Sequence, residues 1–375
     1  MNIARQGAEP SVQERHRPNL PTDIKVETSA ARGQESKGKD NNDAILAIKG
    51  LTIEFATIDE RVVVLNNISI AIEKGEIVGL VGESGSGKST LGLATIGLLD
   101  SPPARVLKGS IFFEGVDLLR LDQEEMSKYR GTGIGMIFQE SLASLNPVYK
   151  VETQLRESLE VVRRARDLDL EGRADEKALL IKTLADLHID KPEIVLKKYP
   201  HELSGGMRQR ISIAMSIVEK PRLLILDEVT TGLDVYVQNR ILALLKDLNT
   251  SMGVSMILIT HDLAVASQIC DRLYVMYAGR LMEAGTYRDV LLNPLHPYTQ
   301  KLLSAVPQGF KDAPPLPAAK GEPPELRNLP QGCKFNPRCA EAMEVCRKEE
   351  PPFLELSDSR WVSCWLHQEK PVADE

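Results

Sequence analysis

The chain lacks any apolar run near the roughly 20 residues that a helix needs to cross a bilayer, so a soluble cytoplasmic protein is expected and any role at a membrane has to come through a partner. It lacks a basic excess as well. With a net charge of −7 it carries nothing like the electrostatic footprint of a nucleic-acid binder, and no nucleic-acid partner is expected. Residues 1–43 hold few large apolar side chains and no apolar core of the kind a signal peptide shows, and they read as a disordered N-terminal extension. There is no internal repeat. Of the five cysteines, Cys270 falls in a core-like segment, while Cys333, Cys339, Cys346 and Cys364 crowd the C-terminal end, where a reducing cytosol would not use them for disulfides.

What is present is a length of 375 residues, which suits one large domain plus an appendage. Patterning begins near Ile45. Segments 45–55 and 62–72 alternate apolar and polar residues, as half-exposed antiparallel strands do. Short continuous apolar runs follow at Glu76–Val81, Gly135–Gln139, Leu223–Leu226, Ser255–Thr260 and Tyr274–Tyr277, with a further strand at Ser110–Glu114. Helical patterning fills Lys88 to Leu98, most of Val151 to Lys198, the Met207–Val218 stretch and residues 235–249. Strand–helix alternation of this kind argues for an α/β layered core around a parallel sheet. Between Pro307 and Gln331 proline is frequent, the mark of a linker or an extended wrapping segment.

The chemistry is carried by short strings. Gly82, Glu83, Ser84, Gly85, Ser86, Gly87, Lys88, Ser89 and Thr90 match G-x-x-x-x-G-K-[ST] between an apolar strand and a helical segment. Glycines let successive backbone N–H groups turn inward around phosphate oxygens, and the helix that follows offers its positive end. Lys88 reaches the β- and γ-phosphates of ATP, and Ser89 supplies a hydroxyl to Mg²⁺. A second string, Leu223-Leu224-Ile225-Leu226-Asp227-Glu228, puts two carboxylates at the end of a central strand. Asp227 there would hold Mg²⁺, and Glu228 would orient or polarise an attacking water. Alone, such a pair would read as a solvated turn; the phosphate loop changes that weighting.

Leu203-Ser204-Gly205-Gly206-Met207-Arg208-Gln209-Arg210 resembles the ABC ATPase signature, and with it the remaining pieces fall into that family's order over residues 45–305. In the family this helix start, capped by Ser204, contacts the γ-phosphate of ATP held by a second subunit. Gln139 resembles the Q-loop glutamine, Asp234 the D-loop aspartate and His261 the switch histidine. Finer marks (Ser144 to Pro147, Leu233-Asp234-Val235 with Val237-Gln238, His296-Pro297-Tyr298-Thr299, and the tail cysteines with Arg338) resemble the oligopeptide/dipeptide importer branch. Two positions depart from the family pattern: Val229 stands where proline follows the glutamate, and Gly232 where Ala or Ser precedes the D-loop pair. Both could loosen the loop that positions Glu228 and Asp234. For the adenine ring Phe55 is the nearest candidate, and a core residue of an alternating strand explains it as well.

The resemblance implies a P-loop NTPase (ABC ATPase) core with an antiparallel β subdomain and a helical subdomain, plus a small Cys-containing extension. The implied layout is residues 1–43 as extension, 44–305 as nucleotide-binding domain with a helical subdomain over about 140–207, and 306–375 as proline-rich linker and Cys-containing tail. It implies an ATPase with ATP and Mg²⁺, the ion held by Ser89, Gln139 and Asp227. It also implies a second ABC ATPase subunit, two transmembrane permease subunits and, indirectly, an extracellular substrate-binding protein, at the cytoplasmic face of the membrane. Some members carry a [4Fe–4S] cluster on such a tail. The x5, x6 and x17 spacing of Cys333, Cys339, Cys346 and Cys364 is not the tight pair of common zinc sites, and iron–sulfur, Zn²⁺ and plain packing thiols all stay open. Peptides are the family's usual cargo, with oligosaccharides or nickel complexes as alternatives. A soluble ABC ATPase of DNA repair or translation is disfavoured by the absence of a coiled-coil insert, a tandem cassette or a basic surface.

Overall fold

A computed structural model describes residues 44–56, 60–139, 145–166, 173–305, 321–357 and 359–368. The N-terminal extension, Ser144 and most of the proline-rich stretch therefore lie outside the described residues. Among the described strands, β1 (Ala44–Ala56), β2 (Arg61–Glu73), β4 (Ala104–Phe113) and β5 (Val116–Asp117) form a four-stranded sheet in the order β2-β1-β4-β5, all antiparallel. The 45–55 and 62–72 alternation expected this pairing. The expected Ser110–Glu114 strand is longer than its pattern, because Ala104 to Gly109 extend it on the exposed side.

The second sheet has eight strands: β3 (Ile77–Val81), β6 (Ile134–Ile137), β7 (Leu223–Asp227), β8 (Ser255–Thr260), β9 (Arg272–Tyr277), β10 (Arg280–Thr286), β11 (Leu354–Ser357) and β12 (Arg360–Val362). Their order is β11-β12-β10-β9-β3-β8-β7-β6. The half from β9 to β6 is parallel, and the half from β9 to β11 antiparallel. The continuous apolar runs have a simple cause. On β7, Leu224 and Leu226 join one core while Leu223 and Ile225 join another on the opposite face. A strand covered on both faces cannot alternate with polar residues. Each such leucine contributes roughly 1.5–3 kcal/mol of burial.

One core packs the parallel strands against helices, including Leu155, Leu180, Ile211 and Leu245. The other lies between the two sheets, with Phe113 and Leu51 at its centre. The helical region consists of the Val151–Arg166, Arg173–Asp186 and Gly205–Ile217 helices. No described helix is long and apolar enough to cross a membrane. The C-terminal extension adds β11 and β12 to the main sheet through β10. That joint is sealed by Arg360, which donates to the fully buried Glu283 at 2.6 Å.

Candidate nucleotide site and its missing half

β3 ends at Val81 and the chain turns at once. Glycine is required at position 82, where a Cβ would lie 2.0 Å from the Met276 carbonyl oxygen. It is required again at Gly87, where φ is 96° and a Cβ would meet Val64 and Leu65. The Lys88–Thr95 helix, on which Ser89 and Thr90 lie, starts directly behind the loop. Lys88 is buried, and its Nζ donates to the carbonyls of Gly82 (2.7 Å) and Glu83 (2.9 Å). Burial lowers its affinity for a proton, and the carboxylates of Glu228, Asp227 and Glu83 oppose that.

The carboxyl ends of the parallel strands deliver the rest. Ser89 Oγ donates to Asp227 Oδ1 at 3.0 Å, an oxygen pair set where a divalent cation takes hydroxyl and carboxylate ligands. Burial raises the Asp227 pKa, while the Ser89 hydrogen bond pulls it back. Glu228 follows at φ 48°, a left-handed conformation that costs a non-glycine residue about 1–2 kcal/mol. It carries the carboxylate into a cluster. Gln139 Nε2 donates to Glu228 Oε2 at 2.9 Å, Thr231 Oγ1 to the same oxygen at 3.2 Å, and His261 Nδ1 lies 3.3 Å from Oε1. Strands β6, β7 and β8 are adjacent, so residues 89, 139, 227, 228 and 261 meet although up to 172 positions separate them (261 − 89).

A cavity of about 660 Å³ opens over this loop, lined by Ser84, Gly85 and Ser86, by Phe55 and Val62, and by Pro323–Arg327 of the tail. Phe55 thus borders the same space as the phosphate loop. Sequence reasoning missed the tail's share, together with Tyr298 and Arg338, which both bond to Glu83. The strings around Tyr298 and Arg338 served as family marks only; no local pattern assigns either a contact with a loop more than 200 residues earlier.

The signature residues gather elsewhere. Ser204 caps the Gly205–Ile217 helix, accepting from the Met207 N–H at 3.3 Å. Asp234 caps the Val235–Met252 helix, accepting from the Val237 N–H at 2.9 Å. Ser204, Gly205, Gly206, Gly232 and Asp234 line a second open cavity of about 580 Å³ that shares no residue with the first. A Cβ on Gly205 would have no described neighbour within 4 Å outside its own helix. Val229 is buried in the core beside Glu228, and Gly232 holds φ 77°.

The four tail cysteines, Cys333, Cys339, Cys346 and Cys364, line one small cavity of about 10 Å³ under His296 and Phe335. All are free thiols. Burial pushes Cys333 and Cys364 up to about 11 and raises Cys339. Among the described residues no three His, Cys, Asp or Glu side chains are grouped so as to hold a metal ion. The thiols line one cavity, but the iron–sulfur or zinc expectation is not supported by this arrangement. Cys270 is a buried packing residue, as expected.

A family model described as ABC transporter matches residues 65–231, and one described as oligopeptide/dipeptide transporter, C-terminal region, matches residues 282–346. The chain is 42% identical to the oligopeptide transport ATP-binding protein OppD of Escherichia coli over 88% of this chain and 95% of that protein. It is also 42% identical to the dipeptide transport ATP-binding protein DppD of Bacillus subtilis, over 87% and 96%. Among solved structures it resembles a dimeric ATP-binding cassette in a post-hydrolysis state bound to ADP and phosphate, with TM-score 0.56, 27% identity, and 65% of this chain and 99% of that one covered.

Proposed function

The chain belongs to the family of ABC ATP-binding subunits of oligopeptide and dipeptide import, and from that premise we propose how its own residues run the cycle. It binds and hydrolyses ATP, dimerises, and works with membrane permease components as a peripheral subunit. In our reading Gly82–Thr90 cradles the phosphates. Lys88 exchanges the loop carbonyls it now contacts for β- and γ-phosphate oxygens. Mg²⁺, which supplies charge neutralisation to the phosphates, would be held by Ser89, Asp227 and Gln139.

Glu228 is the residue that orients and deprotonates the attacking water, with His261 beside it to meet the γ-phosphate. The observation that carries this reading is the convergence of Gln139, Thr231 and His261 on the Glu228 carboxylate. Its steps are positioning and electrostatic stabilisation, the ordinary means of phosphoryl transfer.

Ser204–Gly206 and Asp234 serve the partner's nucleotide. The support is that no described neighbour outside its own helix explains a glycine at 205, and a close approach from outside would. Exposed apolar residues near the Q-loop and on the helical region, among them Phe138, Val148, Tyr149 and Ile194, suit contact with a permease at the cytoplasmic face. Two ATPase subunits, two permease subunits and an external binding protein that selects peptide cargo complete the machine. The test is Glu228→Gln in the assembled transporter. It should keep MgATP bound and hold a closed dimer while hydrolysis stops; a variant that turns over ATP normally would remove Glu228 from its role.

The thiol cluster stands apart from this cycle. A ligand-set role is supported by four thiols lining one cavity and opposed by the lack, among the described residues, of a group placed to hold a metal ion. Iron, zinc and sulfide content of anaerobically purified protein separates the readings: brown, iron-bearing protein makes the four residues ligands, and colourless protein without either metal makes them packing thiols.

A further inference from the structure

Glu83 sits second in the phosphate loop, and its side chain reaches the C-terminal extension. Both its oxygens are taken by one residue 255 positions later: Arg338 Nη1 donates to Oε2 at 2.6 Å and Nη2 to Oε1 at 2.9 Å. A two-point guanidinium–carboxylate pair fixes orientation as well as distance. This pair is not a loose surface contact, since the Arg338 side chain is 5% exposed. Arg338 also donates to the Tyr277 hydroxyl at 3.2 Å, and its guanidinium lies over the rings of Tyr277 and Phe335.

The backbone of Glu83 is held too. Its N–H donates to the Tyr298 hydroxyl at 2.9 Å, and its carbonyl accepts from Lys88 Nζ at 2.9 Å. So the residue whose carbonyl holds the phosphate-binding lysine is fixed by three groups, two of them from beyond residue 297. A second piece of the tail points the same way. Pro323–Arg327 walls the cavity over Ser84–Ser86, and Arg327 pairs with Glu60 at 3.0 Å beside β2.

We propose that Arg338 is a positioning residue for the phosphate loop, acting through Glu83, so that the C-terminal extension completes this chain's own nucleotide site. The proposal rests on the reading of that cavity as the ATP site. Without the Arg338 pair, Glu83 keeps only its backbone contacts, and the loop must pay for its own ordering when phosphates arrive. The lost affinity should therefore fall on nucleotides whose β- and γ-phosphates occupy the loop, and hardly on AMP.

The experiment is displacement of a fluorescent ATP analogue from the full-length chain by MgATP, MgADP and AMP, with thermal melting as a check on folding. Lys88→Ala tests the site itself and should abolish MgATP binding; if it does not, the ATP-site reading fails and not this proposal. Arg338→Ala should weaken MgATP and MgADP by about tenfold and AMP by less than twofold, and Arg338→Lys, which keeps the charge but not the two-point geometry, should fall between. Glu83→Gln should shift the same affinities in the same direction, and adding Arg338→Ala to it should cost little more. It also carries the test should Arg338→Ala fail to fold. Unchanged MgATP affinity in a folded Arg338→Ala or Glu83→Gln chain, or an equal loss for all three nucleotides, overturns the proposal.

Discussion

The phosphate-loop side and the signature side of this molecule are built differently. At the first, Lys88 and Asp227 are buried, and Lys88, Ser89, Asp227, Gln139, Glu228 and His261 all have partners within the chain. At the second, Ser204 and Asp234 do no more than cap their own helices. Beside them Val235 is 72% and Tyr236 69% exposed, and Gly205 faces open space. One side is finished within the chain. The other is an open cavity with exposed residues at its rim, the form that the proposed pairing with a second subunit would need. The difference teaches where to look for cause: Gly82 and Gly87 answer to their own neighbours, whereas no described neighbour outside its own helix lies within 4 Å of a Cβ built on Gly205.

The largest way to probe that contrast is Glu228→Gln. Removing a general base costs hydrolysis about 10²–10⁴-fold, while MgATP binding, carried by the loop and Lys88, stays. Acid should break the finished side more gently, from beneath. His296 lies under the tail, accepts from the Tyr298 N–H at 2.9 Å, and is held down to a pKa of about 3 by burial, with His367 adding to the effect. Its folded pKa lies below the unfolded value of 6.5, so the unfolded chain binds the extra proton. This stabilisation is complete above pH 6.5 and declines toward pH 3, by up to about 1.4 kcal/mol per unit. Denaturant unfolding of His296→Asn across that window should show a shallower acid loss than the parent chain; an identical slope would mean that His296 does not titrate on unfolding.

The parts of the site that are consecutive in sequence were legible in it. Gly82–Thr90 and Leu203–Arg210 declare themselves because phosphate binding at a helix start needs a contiguous string. Gln139, Glu228 and His261 were placed by their order, and the adjacency of β6, β7 and β8 brings them together. The tail's individual contacts were not legible. β10, β11 and β12 are short strands whose burial does not alternate cleanly, and a pair such as Glu83–Arg338 has no periodicity to betray it. The cysteines could be counted but their spacing in space could not, which is why their ligand role outran the geometry.

The most direct test of the division between a finished and an open half is Gly205→Arg. A Cβ there meets no described atom outside its own helix and the cavity beside it is open, so melting temperature and MgATP affinity should stay at parent values while hydrolysis in the assembled transporter falls about tenfold or more. Weakened MgATP binding by the chain alone, or undiminished hydrolysis, would contradict the account.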